Sequence, residues 1–192
     1  MNQVLIINGH PDKESFNYAL SKAYLKGATN TNSILSQINI SDLDFSPNLK
    51  FGYRKRIELE PDLISAIDKI KKADHIVWVF PMWWYSYPAL MKGFIDRTFL
   101  PGITFDVVKG NPFPKKLLKG KSARLIITAD TPKWYNFFVM KRPAINQFKK
   151  GTLQFCGINS VKVTYISSIK DSNLAFREKW LKKVFILGNK LK

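Results

Sequence analysis

Two stretches of this chain carry residue types that could do chemistry. The first is Asn8-Gly9-His10-Pro11-Asp12-Lys13-Glu14-Ser15-Phe16-Asn17. It follows an apolar run and precedes a helical pattern that Ser15 can cap. His10, Ser15 and several backbone N–H groups would then meet at a helix N-terminus, a ready anion site. An imidazole and a hydroxyl can hold phosphate where lysine is absent. His10 could instead be a loop histidine bonded to backbone. The loop holds neither G-x-G-x-x-G nor a P-loop, which sets the usual dinucleotide and P-loop sites aside.

The second stretch is Phe80-Pro81-Met82-Trp83-Trp84-Tyr85-Ser86-Tyr87-Pro88. The apolar run at residues 76–80 reads as a strand buried on both faces. Pro81 ends its ladder because it has no N–H to donate. Four aromatics then crowd between two prolines, and Pro88 stands where a helix would begin. A buried strand thus delivers an aromatic loop to its carboxyl end, where open parallel sheets bind ligands. A flat, π-rich loop suits a flat, π-rich ligand; the same rings could also be core or a dimer interface.

The elements that must position these stretches alternate in kind. Residues 3–8 (QVLIIN) form a buried-strand pattern, and a helix runs from Ser15 to about Gly27. Residues 33–40 are a weaker strand, followed by a connection at 41–60 too long for an ordinary loop. Pro61 starts a helix with a stripe of Leu63, Ile64, Ile67 and Ile70. The 76–80 strand and a helix at 89–99 come next. Residues 101–120 read as a Pro-, Gly- and Lys-rich excursion, residues 123–128 and 161–167 as strands. Phe176, Trp180, Val184 and Leu187 give the closing helix one apolar side. Five strands alternating with helices imply a doubly wound α/β parallel sheet with right-handed crossovers. No repeat or linker interrupts 1–192, so a single domain is expected.

Charge and cysteine narrow the classes. Residues 1–108 hold 12 basic and 11 acidic side chains, whereas residues 109–192 hold 19 basic and only Asp130, Asp171 and Glu178 against them. Such a one-sided field would draw an anionic partner (nucleotide phosphates, an acidic protein or an anionic membrane surface), while a lysine-rich surface that merely keeps the protein soluble accounts for most of the lysines. No zinc-ligand spacing, basic zipper or RNA-binding aromatic signature appears, so nucleic acid is not expected. One cysteine, Cys156, excludes an internal disulfide framework. No leader and no bilayer-spanning run is seen, so a cytoplasmic protein is expected.

Three segments carry a family resemblance. Leu5-Ile6-Ile7-Asn8-Gly9-His10-Pro11…Ser15-Phe16-Asn17 resembles the opening of the flavodoxin-like NAD(P)H:quinone oxidoreductases, the DT-diaphorase superfamily, in its bacterial NAD(P)H-dependent flavin oxidoreductase branch. Phe80-Pro81-Met82-Trp83-Trp84…Pro88-Ala89…Lys92-Gly93…Asp96-Arg97 is similar to its second signature, and Leu153-Gln154-Phe155-Cys156-Gly157-Ile158 to a third. The matches run in register over most of the chain. The resemblance implies a flavodoxin-like sheet of order 2-1-3-4-5 and a tightly bound FMN or FAD. NAD(P)H would reduce that flavin, and a quinone or similar electrophilic acceptor would reoxidise it in ping-pong fashion. It implies that His10, Ser15, Phe16 and Asn17 hold the flavin phosphate. Pro81, Met82, Trp83, Trp84 and Tyr85 would line the ring, and Thr128, Ala129 and Asp130 would border its pyrimidine end. It further implies a homodimer, in which the apolar segment 134–140 covers the partner's flavin or lines an acceptor channel; shallow insertion into a bilayer is the alternative, ranked below dimer burial.

Two positions depart from the family's pattern. Ala129-Asp130 stands where a glycine pair is usual, and Asp130 is expected to turn away from the ring to cap the Lys133 N–H. Tyr135 matches a family tyrosine that helps neutralise the reduced flavin, while Lys141 replaces its histidine companion, giving a Tyr135–Lys141 catalytic pair. A regulatory flavoprotein docked on a membrane transporter is the alternative function. A one-electron shuttle ranks below both, because such shuttles are typically acidic.

Overall fold

The computed structural model describes residues 1–191. Five parallel strands form the sheet: β1 (Asn2–Asn8), β2 (Ser33–Asn39), β3 (His75–Pro81), β6 (Ser122–Thr128) and β7 (Ser160–Ile166), in the order β2-β1-β3-β6-β7. Two further strands, β4 (Phe105–Asp106) and β5 (Lys115–Lys116), make a separate antiparallel hairpin in the excursion. With that hairpin left out, the order is the expected 2-1-3-4-5. In register, Asn8 stands beside Val79, Pro81 beside Thr128, and Thr128 beside Ile166. The carboxyl ends of four strands therefore form one edge.

Alternation along β3 assigns its side chains to the two faces. Val77 and Val79 pack with Val4, Ile6, Leu20, Tyr24 and Val184 under α1 (Phe16–Ala28) and α5 (Leu174–Asn189). Ile76, Trp78 and Phe80 join the cluster under α2 (Pro61–Lys72), α3 (Ala89–Thr98) and α4 (Pro143–Phe148). Helices α1 and α5 cross with almost no separation. A Cβ on Gly27 would lie 2.0 Å from the Phe185 carbonyl oxygen, and one on Gly188 would lie 2.2 Å from that of Tyr24. The expected stripe of Phe176, Trp180, Val184 and Leu187 faces this cluster.

The long connection before α2 is pinned to the core, whereas the crossover from β6 to β7 differs from the sequence reading. Arg97, 1% exposed, donates to the carbonyls of Ser46 and Glu58 and pairs with Glu60 at 2.7 Å. The crossover from β6 to β7 contains α4, which continues as a π-helical turn, Lys149–Gln154. That extra residue per turn shifts Leu153 and Cys156 out of phase with Ile145 and Phe148, which hides the helical period in the sequence.

Candidate functional site

As β1 leaves the sheet, Gly9 donates to the Val79 carbonyl at 2.8 Å. The next residues stitch themselves together. Asn8 Oδ1 accepts from the His10 N–H at 3.3 Å, His10 Nδ1 from the Asp12 N–H at 3.0 Å, and Asp12 Oδ1 from the Glu14 N–H at 2.9 Å. Ser15 Oγ donates to the Asp12 carbonyl at 2.7 Å and accepts from the Tyr18 N–H at 3.2 Å as the cap of α1. With Nδ1 engaged as an acceptor, the neutral His10 ring carries its proton on Nε2. Burial lowers the His10 pKa below its ordinary value, and Asp12 opposes that shift. The ring stands edge-on to Trp83, 5.5 Å between centroids.

Asn17 is the decisive side chain. It is 4% exposed, its Oδ1 accepts from Thr128 Oγ1 at 2.8 Å, and its Nδ2 has no partner. A buried donor left unpaired costs about 1–3 kcal/mol. It lies beside the N–H groups of Phe16 and Asn17, which have no acceptor within the helix. Phe16 and Asn17 line a cleft of about 440 Å³ together with His10, Pro81, Met82, Trp83, Thr128 and Ala129. An anionic group placed there would supply acceptors that this end lacks.

Across the cleft, the Met82 N–H donates to the Thr128 carbonyl at 2.7 Å. Trp83 and Ser86 then exchange both backbone hydrogen bonds, at 3.0 and 2.9 Å. The intervening Trp84 and Tyr85 have φ of 49° and 57°, the pattern of a type I′ turn. Bulky residues in that region store strain of about 1–3 kcal/mol each, as functional loops often do. The turn splits the predicted ring-lining set. Met82 and Trp83 face the cleft, whereas Trp84 is 98% exposed and Tyr85 packs on the core, so neither of those two lines it.

Asp130 borders the cleft but caps a different segment from the one expected. Its Oδ1 accepts from the N–H groups of Ile169 and Lys170 at 3.2 and 2.6 Å, so it anchors the turn after β7 rather than the Lys133 N–H. Tyr135 and Lys141 lie outside the cleft. Tyr135 stacks edge-on against Trp134 at 5.6 Å, and the exposed Lys141 has φ 54° and gives its carbonyl to Asn146 Nδ2. No hydrogen bond joins the two among the described residues.

The cleft also includes residues that sequence reasoning missed: Asp12, Glu14, Ile169, Lys170 and Arg177. Arg177 lies over the Phe16 ring, 5.6 Å to its centroid, and its Nε donates to Ser172 Oγ at 2.9 Å. It reaches the cleft only because α5 lies against α1. The one local signal was an arginine in the first turn of a helix capped by Asn173.

The Flavodoxin-like fold family matches residues 2–184. The chain belongs to this family, in its NAD(P)H:quinone oxidoreductase branch. Human ribosyldihydronicotinamide dehydrogenase [quinone] is 30% identical over 179 residues, spanning 81% of this chain and 77% of that protein. The crystal structure of Smu.1420 from Streptococcus mutans UA159 superimposes with TM-score 0.86 at 31% identity, covering 98% of this flavodoxin-like chain and 99% of that one. An FMN-dependent NADH-azoreductase of Bacillus anthracis, solved with FMN, has TM-score 0.75 at 21% identity over 100% and 99% of the two chains, which is a likeness of fold.

Proposed function

We propose that this chain is a flavin-dependent NAD(P)H oxidoreductase acting on a quinone or a similar electrophile, built as a single flavodoxin-like domain. The observation that carries this reading is the unpartnered, buried Nδ2 of Asn17 at the head of α1, in the same cleft as Trp83 and Met82. One end of the cleft offers donors for phosphate and the other an aromatic edge for a flat ring, a division that fits FMN or FAD. The human relative is named for the same class of reaction, and the azoreductase of like fold for FMN.

In this reading the flavin supplies the redox chemistry, accepting hydride from a nicotinamide and passing reducing equivalents to the acceptor. The chain's own residues bind and orient. Asn17 Nδ2, His10 Nε2–H and the N–H groups of Phe16 and Asn17 face the phosphate. Ser15, whose hydroxyl is already bonded to Asp12 and Tyr18, fixes the loop. Lys170 and Arg177 add positive charge at the outer rim. Asp130 stays clear of the ring because two backbone N–H groups occupy its Oδ1. A homodimer belongs to the same reading. Its support is a second aromatic surface of Phe105, Phe155 and Tyr53, beside Tyr87.

The test is the cofactor content of freshly purified protein. A yellow preparation that releases FMN or FAD, and bleaches anaerobically with NADH or NADPH, is the expected result. A folded, colourless protein that takes up neither flavin overturns the reading.

A further inference from the structure

The segment 134–139 lies outside the cleft and is not covered by any element of the fold. Trp134 is 61% exposed, Phe137 43%, Phe138 74% and Val139 52%. Four large apolar side chains in six residues form a contiguous patch of the kind that marks an interaction surface. The patch is rigidly mounted. The Asn136 N–H donates to the Pro132 carbonyl at 3.0 Å, and the Arg142 N–H to the Asn136 carbonyl at 2.8 Å, so the π-helical turn Tyr135–Val139 is closed at both ends. Lys141 and Arg142 both sit at positive φ, and the Arg142 guanidinium lies 4.1 Å from the centroid of the Phe137 ring.

Behind the aromatics is a cavity of about 350 Å³ whose charged lining is Lys133, Arg142, Lys149 and Lys150, over a floor that includes Val161 and Val163. No carboxylate lines it. From Thr131 through Lys170 the sequence holds seven cationic side chains and no Asp or Glu. We propose that segment 134–139 and this cationic cavity together form a docking surface for anionic phospholipid membranes. Trp134, Phe137, Phe138 and Val139 enter the headgroup–acyl boundary, and the cations behind them meet lipid phosphates.

Charge complementarity selects the occupant. A second copy meeting this patch with its own 134–139 segment across a two-fold axis would bring like-charged surfaces together, which is unfavourable. A bilayer offers hydrocarbon to the rings and negative charge to the lysines at the same depth, the pairing found in interfacial anchors. No helix among the described residues is long and apolar enough to cross a membrane, so the contact is peripheral. The proposal goes beyond the flavoenzyme reading and does not depend on it. If both hold, docking brings the cleft to the layer in which lipid-soluble quinones reside.

The test is co-sedimentation of the full chain with vesicles of phosphatidylcholine alone or mixed with phosphatidylglycerol. Binding to the mixed vesicles at about 0.1 M salt, and release at about 1 M, is expected, because the Debye length falls from about 10 to 3 Å. Phe138→Ser should weaken binding about tenfold through lost burial. Lys149→Glu with Lys150→Glu should weaken it more than tenfold, at about fivefold per basic residue removed. Both variants should keep the wild-type melting curve. Absence of binding, equal binding to the two vesicle types, or variants that bind like wild type would each overturn the proposal. So would a dimer in gel filtration that Phe138→Ser converts to monomer, since a second copy would then be what covers the patch. Each of these results leaves the colour of the protein, and so the flavin reading, untouched.

Discussion

The chain has two histidines, and they sit at opposite ends of the same sheet. His10 follows β1 at the carboxyl edge, half-buried and lining the cleft, with one ring nitrogen engaged and the other without a partner among the described residues. His75 opens β3 at the amino edge, 8% exposed, with both nitrogens engaged: Nε2 with the Tyr24 hydroxyl at 3.1 Å and Nδ1 with Ser122 Oγ at 2.7 Å. Burial lowers the His75 pKa to about 4, helped by Arg124 and Lys162. Helix α1 joins the two regions, since its first turn presents Asn17 to the cleft and its Tyr24 reaches His75. What separates a poised histidine from a structural one is the accounting of its partners. At the amino edge the imidazole's two positions are both filled; at the carboxyl edge the imidazole and the neighbouring amide each keep one open.

The strongest way to break this contrast is to separate α1 from α5, because both ends then lose their support. Gly188→Val places a side chain against the Tyr24 carbonyl, where no room exists. A loss of about 3 kcal/mol is expected, near the upper end for overpacking, which lowers Tm by roughly 6–12 °C in a chain of this size. Thermal unfolding by circular dichroism measures it, and an unchanged Tm would refute the close crossing. The second test uses pH. His75 is neutral when folded, and its folded pKa lies below the unfolded value of about 6.5. Its contribution is therefore complete above pH 6.5 and lost as pH falls toward 4, to a total of about 2–3 kcal/mol. Urea midpoints between pH 7 and 4 should fall more steeply for wild type than for His75→Gln; parallel curves would remove His75 from the effect.

Smaller effects sharpen the other end. Asn17→Leu keeps the side-chain size and removes the open donor, so flavin affinity should fall about 10- to 100-fold, the range for a hydrogen bond to a charged group. Titration of flavin-free protein with FMN and FAD reads it, and unchanged affinity would detach Asn17 from the phosphate. The smallest expected effect belongs to His10. Because burial holds its pKa below the ordinary value, the ring is neutral at pH 7 and becomes cationic only in a more acidic range than an ordinary histidine. Flavin affinity should rise a few-fold as pH drops through that range, and His10→Gln should flatten the rise.

Much of this was readable from residues alone. The alternation of buried strands and amphipathic helices, the cap at Ser15 and the helix starts at Pro61 and before Ala89 all reappear at or within two residues of the expected places. His10, Ser15, Phe16, Asn17, Pro81, Met82, Trp83, Thr128, Ala129 and Asp130, named from two loops and a strand end of the sequence, line one cleft. Trp84 and Tyr85 were inseparable from Trp83 by composition, because a two-residue turn with positive φ decides which ring faces inward. Helix α4 was hidden because a π-helical turn breaks the 3.6-residue period that sequence reading depends on.

The sequence by itself determined the local choices: which segments bury both faces, where helices start, and which residue caps α1 after the first strand. Those depend on side-chain size, polarity and caps within a few residues. The tertiary structure alone decided the pairings that complete the cleft. Thr128 meets Asn17 across 111 positions, Arg177 covers Phe16, and Asp130 holds the turn at Ile169 and Lys170. Each joins groups from different crossovers of the sheet, and such distances are fixed by how the layers stack rather than by any local preference of the chain.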